Sequence, residues 1–225
     1  MSVLGFLIPV AVLGLIAWVI VGFTRARGAE PFTLATATAL YARVALIAGL
    51  VMGLVGVGIM IKAALAFINL AYSYYTPQAY PIEAGGKPPG DGGMPPDFLT
   101  QQRGQDLVLG ITLLVVGVLV VVAHYYLARA VSGMPGGSPG WITRGTLLAI
   151  TVVTAIAGIP SAAFGIYQML SYFIIGTSAA QQPWGESLGL AIAFVPAWIY
   201  AMIRLVQDLR PPPHPSGSRA ESPTV

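Results

Sequence analysis

The side chain with the clearest chemical potential is a lysine inside a long apolar stretch. Lys62 is the only formal charge between residues 44 and 75. An ammonium group at the centre of a bilayer costs at least about 2.5–3.5 kcal/mol, so a buried Lys62 would have to bind an anion or a carboxylate. Asp106 and Glu186 are the candidate partners. If hydrocarbon begins near residue 44, however, Lys62 reaches the outer boundary about 20 residues later and extends into water, which is the preferred interpretation.

A histidine and a group of tyrosines offer weaker possibilities. His124 precedes two tyrosines where a span is expected to end, and could be a haem ligand. A haem held within one chain usually needs two axial ligands, and the other histidine, His214, lies in a polar tail, so we expect His124 to be interfacial and predict no cofactor. Tyr72 and Tyr75 could contact a partner or lipid.

Other catalytic constellations are missing from the sequence. The chain has no cysteine, and it contains no phosphate-binding glycine loop and no histidine and carboxylate spacing typical of a metal site, so we predict neither metal nor enzyme activity. Four polar residues could line a polar face of one helix, or they could hydrogen-bond to their own backbone and to neighbouring helices: Thr151, Thr154, Ser161 and Gln168.

The composition is that of an integral membrane protein. Hydrophobic residues make up 56% of the chain and charged residues 8%, and the mean hydropathy is +0.78. These values exclude an ordinary soluble fold. The net charge of +3 is spread thinly and forms no dense basic face, so no nucleic acid partner is expected.

The apolar runs predict an all-α protein with five transmembrane helices, at residues 3–23, 41–75, 107–123, 143–175 and 186–206. Residues 1–27 contain the first of these, which lacks the features of a cleaved signal. An inner linker is predicted at 28–40, an outer loop rich in proline and glycine at 76–105, and a disordered cytoplasmic tail at 211–225.

Loop charge decides the orientation and the number of spans. With five spans, the inner segments hold eight arginines and the outer segments hold only Lys87 and Arg103. This bias predicts an N terminus outside and a C terminus in the cytoplasm. Residues 145–185 carry no formal charge and could form one helix kinked at Pro160 or a hairpin of two. A sixth span would reverse the bias at the C terminus, so one helix is preferred.

Small residues predict how the helices pack. Gly49 and Gly53 have the spacing that lets two helices approach closely in lipid, and Gly56 extends that face. The pattern of residues 41–131 also recurs in 141–210, where Arg43 matches Arg144 and Asp106 matches Glu186. A duplicated two-helix unit would form a four-helix bundle at 41–210, with the first helix packed outside it.

Several short segments carry a resemblance to a known family. They are Asp106-Leu107, Val116-Gly117-Val118-Leu119, His124-Tyr125-Tyr126 and Pro196-Ala197-Trp198. Through them the chain resembles small bacterial membrane proteins classed as a domain of unknown function. The resemblance implies repeated transmembrane helical hairpins over about residues 41–210, and it implies no activity.

These features favour a non-catalytic protein of the bacterial cytoplasmic membrane. We expect an accessory, scaffolding or assembly subunit that contacts another membrane protein, or a homo-oligomer, besides the lipid bilayer. A small transporter or channel that uses the parallel helical repeat is the alternative.

Overall fold

The computed structural model describes residues 33–67, 98–134, 140–175 and 184–209, and in these ranges the protein is a bundle of α-helices. The described ranges contain four helices: α1 (Leu34–Leu65), α2 (Phe98–Ser132), α3 (Gly140–Ile175) and α4 (Trp184–Leu209). Each is long and apolar enough to cross a membrane, which confirms the expected class. The predicted first span, the tail, and Tyr72 and Tyr75 lie outside the described residues.

Helix α1 begins and ends earlier than the sequence predicted. It starts at Leu34, within the segment expected to be a linker, because the hydroxyl oxygen of Thr33 accepts a hydrogen bond from the Thr36 N–H at 3.2 Å and caps the helix. It ends at Leu65, where the Phe67 N–H donates to the Ala64 carbonyl in a tight turn. The prediction of one helix over residues 41–75 is therefore wrong at both ends.

Helix α2 begins inside the segment that was predicted to be an outer loop. Its first residue is Phe98, directly after the last proline of that segment and its following aspartate. The loop was predicted to continue to residue 105 because its residues are polar. Polarity marks where a helix leaves hydrocarbon, whereas proline marks where a helix cannot continue.

Helix α3 runs without a break from Gly140 to Ile175, so the interpretation as one helix is confirmed and the hairpin is excluded. Pro160 lies inside it. A proline has no N–H, so the carbonyl of Ile156 lacks its usual helical donor. Helix α4 also contains a proline, Pro196.

The helices pack as two antiparallel pairs, and α4 runs antiparallel to both α3 and α1. Helix α1 pairs with α2, α3 pairs with α4, and α1 also contacts α4 and, less extensively, α3. Consequently α1 and α3 run in the same direction. We call the end where α1 and α3 finish the Lys62 end, and the opposite end the Arg144 end. The clusters of buried apolar residues follow this order, with Ala66 and Trp184 at the Lys62 end and Ala39 and Ile142 at the Arg144 end.

Helix α2 is the most exposed of the four. Only 11% of its most apolar window is buried, against 39% in α3, because α2 packs chiefly on α1. Its remaining surface presents large apolar side chains from Val108 to Tyr126. In a membrane, such a face meets lipid or another helix.

Candidate functional site

Lys62 forms an ion pair at the Lys62 end of the bundle. Its ammonium nitrogen lies 2.9 Å from Asp106 Oδ2, and the two side chains are 15% and 22% exposed. Asp106 Oδ2 is itself shielded from solvent, and the contact lacks the angles of a hydrogen bond. Lys62 therefore has a carboxylate partner, and it also lies in the last turn of α1.

A second carboxylate, Glu186, lies on the same cavity. The cavity has a volume of about 160 Å³ and is lined by Gly58, Ile59, Lys62, Asp106, Leu109, Glu186 and Leu190. We call this the Lys62 cavity. Its charged residues come from three helices, since α1 supplies the lysine, α2 the aspartate and α4 the glutamate. Within the described ranges, Glu186 has no cationic partner within 4.0 Å.

Helix dipoles favour two of these charges. Lys62 lies in the last turn of α1, where the partial negative charge of the helix end favours a cation. Glu186 lies in the first turn of α4, where the partial positive charge favours an anion. Asp106 lies about two turns inside α2 and depends on Lys62 instead.

A close contact between two glycines holds this site together. Gly58 and Gly189 are each about one turn from a charged residue of the cavity, Lys62 and Glu186 respectively. A Cβ atom on Gly189 would overlap the Gly58 carbonyl oxygen and would lie 3.3 Å from the Lys62 backbone nitrogen. The absence of side chains here lets α1 and α4 approach closely enough for both charges to line one cavity.

The predicted packing glycines lie at the α1–α2 interface with different roles. A Cβ atom on Gly49 would lie 2.8 Å from Val120 Cγ1, and one on Gly56 would lie 2.6 Å from the Gly110 carbonyl oxygen. A Cβ atom on Gly53 would meet nothing within 4 Å. The backbone of Gly53 instead contacts α2, since a Cβ atom on Gly117 would lie 2.6 Å from the Gly53 nitrogen.

His124 belongs to the Arg144 end and contacts no residue of the Lys62 cavity. Its Nδ1 lies 2.8 Å from the Val120 carbonyl oxygen, so Nδ1 carries the proton and donates. In neutral imidazole Nε2 then accepts, and the Tyr41 hydroxyl lies 3.3 Å away as the donor. The two rings also meet edge to face at 5.4 Å. This contact links α1 to α2.

Two of the four polar residues proposed for a helix face bond to their own backbone. Thr151 and Thr154 donate to the carbonyls of Leu147 and Ile150 at 2.8 and 2.7 Å. Ser161 is fully buried, and its hydroxyl has no hydrogen-bond partner in the described part of the chain. For Thr151 and Thr154, the structure therefore agrees with the interpretation that these residues hydrogen-bond to their own backbone.

Sequence reasoning missed Gly58, Gly110, Gly117, Gly189 and Tyr41. The seven-residue separation of Gly110 and Gly117 places them on one helical face and could have identified them as packing residues. No local signal could have joined Tyr41 to His124, which lies 83 residues later.

The Lys62 cavity brings one ammonium group and two carboxylates together, so it can bind a charged group. Among the residues that the structure describes, no group of three or more histidines and carboxylates is placed to hold a metal ion.

No protein-family model, curated protein or solved structure matches the chain.

Proposed function

We propose that this protein is a non-catalytic accessory, scaffolding or assembly subunit that contacts another membrane protein or a second copy of itself. The observation that carries the proposal is the exposure of α2, which packs chiefly on one helix and presents a continuous apolar face from Val108 to Tyr126. A partner helix packed on this face would exclude lipid from it and would gain dispersion contacts.

The test compares two exposed apolar positions on different helices. Val118 on α2 and Ile159 on α3 are 50% and 49% exposed. Val118→Trp should dissociate the assembly after gentle detergent extraction, whereas Ile159→Trp should leave its size unchanged, as measured by light scattering coupled to size-exclusion chromatography. A strictly monomeric wild-type particle with no co-purifying protein would contradict the proposal.

The proposal includes five spans in the bacterial cytoplasmic membrane, with the N terminus outside and the C terminus in the cytoplasm. Charge supports this orientation, since four described arginines lie at the Arg144 end: Arg43, Arg129, Arg144 and Arg204. Of the cations in the described ranges, the Lys62 end holds Lys62 and Arg103. Because the chain has no cysteine, single substitutions Gln101→Cys and Ser132→Cys can be labelled from outside with an impermeant maleimide, which should reach only the first.

We also infer that the four-helix domain at 41–210 is a duplicated two-helix unit with an additional N-terminal helix, as in the repeated hairpins that the resemblance implies. The parallel course of α1 and α3, and the shared position of Asp106 and Glu186 on one cavity, support this inference. An engineered chain in which the two hairpins exchange their order should still fold if the units are equivalent.

A small transporter or channel is the second candidate. The Lys62 cavity favours it, because charges from three helices meet between apolar walls, as they do in substrate pathways. The test is flux of small cations into liposomes that contain the purified protein. Flux that Lys62→Met or Pro160→Ala changes would favour this function over the subunit.

A further inference from the structure

We propose that the Lys62 cavity binds a small primary ammonium ion, with Glu186 as its carboxylate partner and the apolar wall as the contact for a short alkyl group. This site goes beyond the proposed function and does not depend on whether the protein has a partner.

The charges of the cavity favour a cation. Lys62 and Asp106 neutralise each other at 2.9 Å, and Glu186 adds a second negative charge to the same cavity. The next cation along α2, Arg103, does not line the cavity, and its guanidinium lies 4.8 Å from the centre of the Phe67 ring. An anionic ligand would face two carboxylates and one lysine that is already paired. A cation beside Glu186 would bring the cluster to neutrality, which a half-buried site favours.

The lining favours an organic ammonium over a metal ion. Hard cations such as Ca²⁺ take six to eight oxygen ligands. Here two carboxylates face walls made of Ile59, Leu109 and Leu190 side chains. Such walls suit a hydrocarbon group, and the volume of about 160 Å³ is more than ten times the roughly 10–15 Å³ that one water needs.

The lining also favours a primary over a quaternary ammonium. Quaternary ammonium groups are recognised by aromatic cages, and the described residues that line this cavity include no aromatic side chain. A primary ammonium has three N–H donors, and carboxylate oxygens of Glu186 and Asp106 can accept from them.

Butylammonium is a suitable probe, with butanol and butyltrimethylammonium as controls of similar shape. In the purified full-length protein, we expect the thermal-unfolding midpoint to rise saturably with butylammonium, and to respond less to either control. Glu186→Gln should weaken the apparent affinity at least about tenfold, because a charge-assisted hydrogen bond is lost. Asp208→Asn is the matched control at the opposite, exposed end, and it should change the apparent affinity for butylammonium by less than about twofold.

A second variant keeps the test independent of Glu186. Leu109→Trp would fill the cavity while retaining every charged group, and it should abolish the butylammonium response. If wild type shows no saturable response, if butanol acts equally, or if Leu109→Trp and a folded Glu186→Gln respond as wild type does, the site does not exist.

The natural ammonium could belong to a soluble amine or to an aminolipid headgroup. In phosphatidylcholine nanodiscs supplemented with phosphatidylethanolamine, a lipid source predicts a lower butylammonium affinity for the wild type and no such change for Glu186→Gln. A soluble source predicts the same affinity in both nanodiscs. Both results support the site and distinguish its ligands.

Discussion

A single methyl group should separate α1 from α2. In Gly117→Ala, the added Cβ atom would lie 2.6 Å from the Gly53 nitrogen and 2.7 Å from the Gly49 carbonyl oxygen. Ordinary contact begins at 3.4 Å, so the overlap is about 0.8 Å. Both contacted atoms belong to the backbone, so a change of side-chain rotamer cannot relieve the overlap. The two helices must therefore move apart.

The energetic cost follows from that separation. A gap of about 0.5–1 Å removes roughly a quarter to a half of the dispersion energy of each contact along the interface. Overpacking of this kind typically costs about 1–3 kcal/mol, and we expect Gly117→Ala to lower the free energy of unfolding by about 2 kcal/mol.

Gly53→Ala is the matched control, because its Cβ atom meets nothing within 4 Å although it lies at the same interface. We expect an effect between zero and a stabilisation of about 1 kcal/mol from helix propensity. The measurement is unfolding by sodium dodecyl sulfate in mixed micelles, followed by circular dichroism. Equal stability of Gly117→Ala and the wild type, or equal destabilisation by the two substitutions, would refute the described packing.

Three further substitutions probe the polar contacts in the same unfolding assay. Lys62→Met should lower the free energy of unfolding by about 1–3 kcal/mol because it leaves the Asp106 carboxylate uncompensated, and the loss should be smaller than for a fully buried ion pair. The double variant with Asp106→Leu should recover most of this loss. Failure to recover it would count against the pairing of Lys62 with Asp106. Arg144→Gln should change stability by less than about 0.5 kcal/mol, since its ion pair is exposed, and a larger loss would contradict this view. Tyr41→Phe removes the hydroxyl donated to His124 and should cost about 0.5–1 kcal/mol; no loss would mean that the bond does not form.

The glycine contacts connect the fold to the candidate site. The α1–α2 interface positions Asp106 beside Lys62, and the contact of Gly58 with Gly189 brings the first turn of α4 to the same place. Packing along the bundle therefore controls the geometry of charges at its end. A substitution at Gly189 should disturb the cavity even though it removes no charge.

Helix boundaries show where sequence reasoning failed. Apolar residues beyond Leu65 suggested a longer helix, and polar residues before Asp106 suggested a loop, yet α1 ends early and α2 begins early. Hydropathy reports the solvent around a segment, whereas caps and prolines determine the backbone. Thr33 and Thr36 could have been recognised as a capping pair from the sequence alone.

The sequence by itself determined that the described chain consists of helices long and apolar enough to span a membrane, because backbone groups in lipid must form their hydrogen bonds within each segment. It also indicated, through the distribution of charge, that residues 143–175 form one helix, and α3 covers this range from Gly140 to Ile175. Only the tertiary structure decided which charges meet. Lys62, Asp106 and Glu186 lie far apart in sequence, and their meeting depends on the rotation and closeness of helices that the glycines permit. Apolar periodicity is too weak in helices that are apolar on all sides to specify that rotation.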